Sequence, residues 1–365
     1  MYPTNVTEIH LELTDKCQAA CPMCPRNWYG GAETSYIRNI EITLEQFKEW
    51  FPVAFLKQLK SVHACGNYGD PLLAKDCAEI FEYLEQNTAD DCRLAIHTNA
   101  SLRSKAWWQH IAKVLGTKGT IVFAIDGFAG DHEKYRKHTN WHTIIKNAKT
   151  FIQAGGYARA DSIVFEHNEQ RADELKHFLL GIGFAEVDLK TTQRFHGTTK
   201  WPVKNLAGDI EYYISPPTLP QFRESMINLD MDYISRPDVY QRIIDESIIV
   251  PDCKRNKEIY VDAAGHVFPC CNIAGSINTD FDGEGNDYSM RERHRRSAEE
   301  FVEYTGYLDL NKSNIVDQLA TSGWSEKITH CTTVDKKLVC VKACGINIRE
   351  LVEGKASDQA YVKFT

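Results

Sequence analysis

The sequence contains no run of about 18 apolar residues, the length a helix needs to cross a bilayer, so no membrane span is expected. Its first residues, Met1-Tyr-Pro-Thr-Asn-Val-Thr-Glu8, lack a basic region followed by an apolar one and do not read as a secretory signal. A cytoplasmic location is the expectation. Nor is there a basic surplus: 42 Lys and Arg stand against 50 Asp and Glu, a net charge of -8, which argues against a broad nucleic-acid surface. The one basic run, Arg291-Glu-Arg-His-Arg-Arg296, reads as a solvated face, with a docking spot for an acidic substrate or partner as the alternative.

What the chain does have is cysteine. Twelve cysteines in 365 residues with no export signal do not read as a disulfide framework, which belongs to small secreted domains, and are read as metal ligands. Nine fall in two groups, Cys17 to Cys24 and Cys253 to Cys344. Cys65, Cys77 and Cys92 lie between, among apolar neighbours, and are expected as small core residues. The stretch Cys17-Gln-Ala-Ala-Cys21-Pro-Met-Cys24 offers three thiols, one short of closing most metal sites. A four-iron cluster takes one thiolate per iron, so three cysteines leave one iron open to another ligand. A structural zinc site using the same thiols and His10 is the competing reading, but no second close Cys or His pair in this half of the chain supports it.

With 43% hydrophobic and 25% charged residues, the chain is ordinary for a globular protein and long enough for one large and one smaller domain. From Val6 to about Thr192, short β-branched runs alternate with amphipathic stretches, which predicts parallel strands joined by helical crossovers. Six strands are predicted, at Ile9 to Leu13, Ser61 to Cys65, Arg93 to His97, Thr120 to Ile125, Ser162 to Glu166 and Glu186 to Lys190. Helical patterns cover Lys75 to Gln86, His142 to Ala154 and Ala172 to Leu180, the last two running into glycines. Periodicity alone does not separate a barrel from an open doubly wound sheet. In either, chemistry gathers beyond the carboxyl ends of the strands, where this sequence places its polar and glycine residues.

The Cys-x-x-x-Cys-x-x-Cys spacing, on a loop directly after the first predicted strand, resembles the signature of the radical S-adenosylmethionine (radical SAM) enzymes. The resemblance implies an α/β fold, a partial (β/α)6 TIM-like barrel, with Cys17, Cys21 and Cys24 holding a [4Fe-4S] cluster. It also implies that the open iron binds S-adenosylmethionine, which an electron from the cluster splits to a 5'-deoxyadenosyl radical. Gly66-Asn-Tyr-Gly69-Asp70-Pro71 stands where the family has its Gly-Gly-Glu-Pro motif, so Gly66, Gly69 and Asp70 are expected beside the methionyl amino group. Thr98-Asn99 is similar to the family's Thr-Asn-Gly turn near the cofactor, and Met23 occupies a position that lies against the adenine. Ala124-Ile-Asp126-Gly127 with His132-Glu-Lys-Tyr-Arg136 resembles the pairing found in the subgroup with an extra carboxyl-terminal cluster domain, which adds Asp126 to the expected cofactor site.

The barrel is expected over residues 1–195 and a bridging segment over 196–250, with a helix around Pro237 to Ser247. From Pro251, Cys253, Gly265 and Cys270 are spaced so that two short strands about a glycine turn bring two thiols together. With Cys331, Cys340, Cys344 and Gly345, residues 251–365 resemble the SPASM and twitch domains, small α+β units holding auxiliary four-iron clusters. The full SPASM pattern has seven cysteines; here Val334 stands three after Cys331 and no cysteine follows Cys344. One auxiliary cluster is therefore expected on Cys253, Cys270, Cys340 and Cys344, with Cys331 as alternate for Cys340 and Cys271 as an outsider. A zinc ribbon is the competing reading.

The resemblance points to a reductant such as flavodoxin or ferredoxin, and to hydrogen abstraction from a peptide or protein side chain, the auxiliary cluster accepting the product's electron. A dehydrogenase or epimerase of a small sugar or cyclitol is the alternative. It gains some weight because the barrel pattern starts near residue 6, with no leader-peptide-binding segment before it. A non-catalytic iron-sulfur or zinc protein is disfavoured by cofactor motifs at successive strand ends. No catalytic acid or base is named.

Overall fold

The computed structural model describes residues 6–192, 194–195, 198–223, 237–277 and 286–346. Six parallel strands run in sequence order, β1 (Glu8–Leu11), β2 (Ser61–Ala64), β3 (Arg93–Thr98), β4 (Gly119–Ala124), β5 (Tyr157–Ile163) and β6 (Glu186–Lys190). This is the partial TIM-like α/β architecture. Helices such as Cys77–Asn87, Lys105–Leu115, Trp141–Gln153 and Ala172–Gly181 cross between strands. Their starts are set locally: Ser104 and Asn140 accept from the backbone N–H three residues on, and Thr43 with Gln46 forms a reciprocal cap. At the other end of Trp141–Gln153, Gly155 takes φ +93°, a left-handed conformation that glycine adopts without strain.

Alternation gives the strands two unlike faces. Ile9, Leu11, Val62, Leu94, Ile96, Ile121 and Phe123 are fully or almost fully buried and share one core with Phe81, Trp108 and Phe151 of the helices. The opposite, inner face is polar, carrying His10, Glu12, His63, His97, Arg159, Asp161 and Lys190. This explains why β5 lies earlier than expected. Tyr157-Ala-Arg-Ala-Asp161 has the strand alternation, with Arg159 and Asp161 paired to Asp188 and Lys190 of β6. Phe165, in the apolar run read as strand, packs beyond the sheet against Tyr135 and Phe195.

The segment read only as a bridge contains a hairpin, β7 (Trp201–Lys204) and β8 (Ile210–Ile214), before a helix at Pro237–Glu246. Beyond it, β9 (Glu258–Val261) and β10 (His266–Phe268) form the expected glycine-turn hairpin. It is not set apart from the barrel: β9 pairs in parallel with β1, Glu8 opposite Glu258 and His10 opposite Tyr260. With β11 (Leu308–Asp309), nine strands among the described residues make one sheet, and the core runs unbroken from Val6 to Val339. No helix among the described residues is long and apolar enough to cross a membrane.

Candidate active site and metal centres

The loop after β1 carries Cys17, Cys21 and Cys24, and neighbouring strand ends reach each sulfur. Asn99 Nδ2 lies 3.7 Å from Cys17 Sγ, Arg136 Nη1 3.9 Å from Cys21 Sγ, and the backbone oxygen of Asn67 3.9 Å from Cys24 Sγ. Burial pushes the Cys17 thiol far up and that of Cys21 to about 11, with neighbouring thiols adding repulsion at both and Arg136 opposing at Cys21. Deprotonated sulfur in this loop therefore needs a cation, and thiolate-bound iron supplies one.

The strand-end motifs form a single network. Asp70 accepts from Thr98 Oγ1 (2.9 Å), from the Asn99 backbone (2.7 Å) and from the Leu72 backbone (3.0 Å), so both carboxylate oxygens are engaged within the protein. Asn99 then reaches the cysteine loop, accepting from Gln18 Nε2 at 2.6 Å. The glycines serve close packing: a methyl group on Gly69 would run into the Thr14 carbonyl, and one on Gly66 would come within 2.7 Å of Glu12 Oε1. Asp126, fully buried, accepts from Arg136 Nε (2.5 Å) and the Ile163 backbone (2.6 Å). It acts on the loop through Arg136.

Sequence reasoning missed several groups here. Glu12 accepts from the backbones of Tyr68 (2.7 Å) and Gly69 (3.0 Å) and from the Tyr260 hydroxyl, and burial pushes its carboxyl up to about 7. A buried acid within a strand run was the available signal. Arg194 donates to the Met23 carbonyl (3.2 Å), and Trp201 Nε1 donates to that of Pro22 (3.0 Å), folding the β7–β8 hairpin over the cysteine loop. Cys77 and Cys92 are core residues as expected. Cys65 instead ends β2 near Glu12 and Cys271.

Two cavities flank this region. The larger, about 360 Å³, is lined by Met23, Cys24, Tyr29, Arg194, Trp201 and Lys342 among others. The smaller, about 150 Å³, gathers Cys253, Cys270, Cys271, Cys340 and Cys344. Cys331 is not in its lining; it is buried in the helix Trp324–Thr333. Cys271, Asn272, Val339 and Ala343 belong to both linings and form a shared wall. The basic run falls in the helix Asn286–Thr305, where Arg295 pairs with Glu292 and Glu299, and Arg296 with Glu292, so the charges of Arg295 and Arg296 are answered within the helix.

Residues 11–179, which hold the cysteine loop, the Gly66–Asp70 turn, Thr98-Asn99 and Asp126, match the Radical SAM superfamily. The chain carries a radical SAM domain. Among solved structures, it is similar to Streptococcus suis SuiB (TM-score 0.50, 14% identity, 79% of this chain and 65% of SuiB). It is also similar to native anSMEcpe with bound AdoMet (TM-score 0.51, 14% identity, 93% and 89%) and to anSMEcpe with AdoMet and the Kp18Cys peptide (TM-score 0.51, 14% identity, 97% and 92%). At such identities the likeness is one of fold, and the chain spans less than two thirds of SuiB. No curated protein sequence matches the chain. S-adenosylmethionine and a [4Fe-4S] cluster are the groups that a radical SAM domain implies, and the loop with one buried and two half-buried thiols fits such a cluster.

Proposed function

We propose that the chain is a radical SAM enzyme that abstracts hydrogen from a peptide or protein side chain, with one auxiliary four-iron cluster taking up the product's electron. The observation that carries this reading is the shared wall: a cavity bordered by Cys24 on one side lies directly against a cavity bordered by Cys253, Cys270, Cys340 and Cys344. When bound, the first cluster and S-adenosylmethionine supply the radical that removes the hydrogen atom.

Within this reading Cys17, Cys21 and Cys24 hold the first cluster, and Asn99 and Arg136 tune it by donating toward sulfur. Gly66, Gly69, Asp70, Thr98 and Asn99 shape the cofactor's seat, and Met23 offers a buried, polarizable surface to it. Asp126 is a positioning residue for Arg136. Trp201, Tyr29 and Met23 give the larger cavity an apolar wall, the kind of surface that a radical on an unactivated carbon needs around it. Four thiolates in the smaller cavity complete a cluster without an open iron, which favours electron transfer over substrate ligation. Flavodoxin or ferredoxin is the reductant class.

A peptide substrate is favoured because anSMEcpe, of the same fold, is solved with a peptide bound. The test is deuterium transfer: a peptide pool carrying deuterated side chains is incubated with reconstituted enzyme, reductant and S-adenosylmethionine. Deuterium in the released 5'-deoxyadenosine supports the reading. Transfer only from deuterated sugars or cyclitols would overturn the peptide assignment.

A further inference from the structure

On the inner face of the sheet three histidines stand on adjacent strands, beside Glu258, which also borders the smaller cysteine cavity. His10 of β1 lies opposite His63 of β2, with ring centroids 4.3 Å apart, and His97 of β3 is 6.1 Å from His63. Glu258 of β9 completes the group, its Oε1 lying 3.9 Å from His10 Nδ1. One buried and two half-buried imidazoles beside a half-buried carboxylate are costly for a strand interior unless they serve something.

We infer that His10, His63 and Glu258 form a binding site for one divalent transition-metal ion of the zinc class, joining β1, β2 and β9. Each offers one ligand atom, and the three atoms all lie within 4.8 Å of one another. A tetrahedral ion with bonds of about 2.0–2.2 Å holds its ligand atoms about 3.4 Å apart, so binding draws this set inward by about 1 Å. The second shell is in place: His10 Nε2 meets the Cys65 carbonyl at 2.5 Å, which fixes the proton there and turns the Nδ1 lone pair toward Glu258. His63 makes ring contacts to His10 and His97 and no hydrogen bond among the described residues, so its nitrogens are available.

The ligand set suits the assignment. Two imidazoles and a carboxylate are borderline donors that suit zinc, and they leave a fourth position for water. The ion would also offset repulsion between Glu8 and Glu258, which face each other across β1 and β9. Its role is a clip: β9 leads to the Cys270 cavity, while β1 and β2 carry the cysteine loop and the Gly66–Asp70 turn. This inference does not depend on the proposed function.

The test uses protein whose cysteines are already occupied by reconstituted iron-sulfur clusters, given one equivalent of zinc sulfate and desalted. Wild type is expected to retain about one zinc per chain, with nitrogen and oxygen neighbours in its X-ray absorption spectrum and a raised melting temperature. His63→Ala and Glu258→Gln, each checked for unchanged iron content, are expected to retain less than a tenth of that zinc. Failure of wild type to retain zinc overturns the site. So does a sulfur shell around the zinc, which needs no variant to read, or equal retention in His63→Ala.

Discussion

Glu12 on β1 accepts a hydrogen bond from the hydroxyl of Tyr260 on β9, 248 residues later in the chain, while its other oxygen holds the Tyr68 and Gly69 backbones. One buried carboxyl thus ties the turn expected beside the cofactor to the hairpin that leads to the second group of cysteines. Glu12→Ala strands a buried and a part-buried N–H group and a hydroxyl, at a cost of about 1–3 kcal/mol for a buried one, whereas Tyr260→Phe removes the donor to one carboxyl oxygen and leaves both backbone donors on the other. Anaerobic thermal unfolding should place Glu12→Ala well below Tyr260→Phe, and Tyr260→Phe slightly below wild type. Equal melting temperatures for all three would remove this network from the account.

Arg136 pairs with the fully buried Asp126 and points Nη1 at Cys21. Arg136→Met leaves a buried charge unanswered and should destabilise by about 3–5 kcal/mol. Asp126→Asn on top of it should recover part of that loss, the signature of a coupled pair. Loss of the nearby positive charge should also lower the reduction potential of the first cluster, measured by redox titration under electron paramagnetic resonance.

His132 is fully buried, and its Nδ1 accepts from the Asp126 backbone at 3.1 Å. Burial lowers its pKa from 6.5 to about 4. The folded state therefore holds the neutral ring, and the stability this gives is present above pH 6.5 and is lost as pH falls toward 4. Relative to His132→Asn, wild type should lose about 3 kcal/mol between pH 7 and pH 4, read from denaturant unfolding at each pH. A pH-independent difference would contradict the assignment.

Much of this was legible in the sequence because short-range chemistry dictates it. Cysteine spacing marks the loop, and glycine and asparagine mark the strand ends; Pro237 to Ser247 reads as a helix because its period is local. The polar inner face was not legible, since His10, His63 and His97 gain meaning only once β1, β2 and β3 lie side by side in register. The pairing of β9 with β1 is likewise a contact between residues about 250 apart, such as Glu8 and Glu258, that no window of sequence contains. Trp201 sits in a stretch where the barrel pattern fades, and only the fold brings it onto Pro22.

Cysteine substitutions separate the two cavities. Cys270→Ser should reduce bound iron from about eight to about four per chain, while Cys331→Ser, outside the smaller cavity, should leave about eight. Iron and sulfide analysis after anaerobic reconstitution reads both; loss of iron in Cys331→Ser would replace Cys340 by Cys331 in the proposed ligand set.

The most direct measurement is chromatography of 5'-deoxyadenosine after anaerobic reconstitution with iron and sulfide, then dithionite and S-adenosylmethionine with the deuterium-donating substrate pool, for wild type and Cys17→Ala. Release by wild type and its loss in Cys17→Ala is the predicted result. No release from fully iron-loaded wild type, or equal release from Cys17→Ala, would contradict a radical enzyme built on Cys17, Cys21 and Cys24.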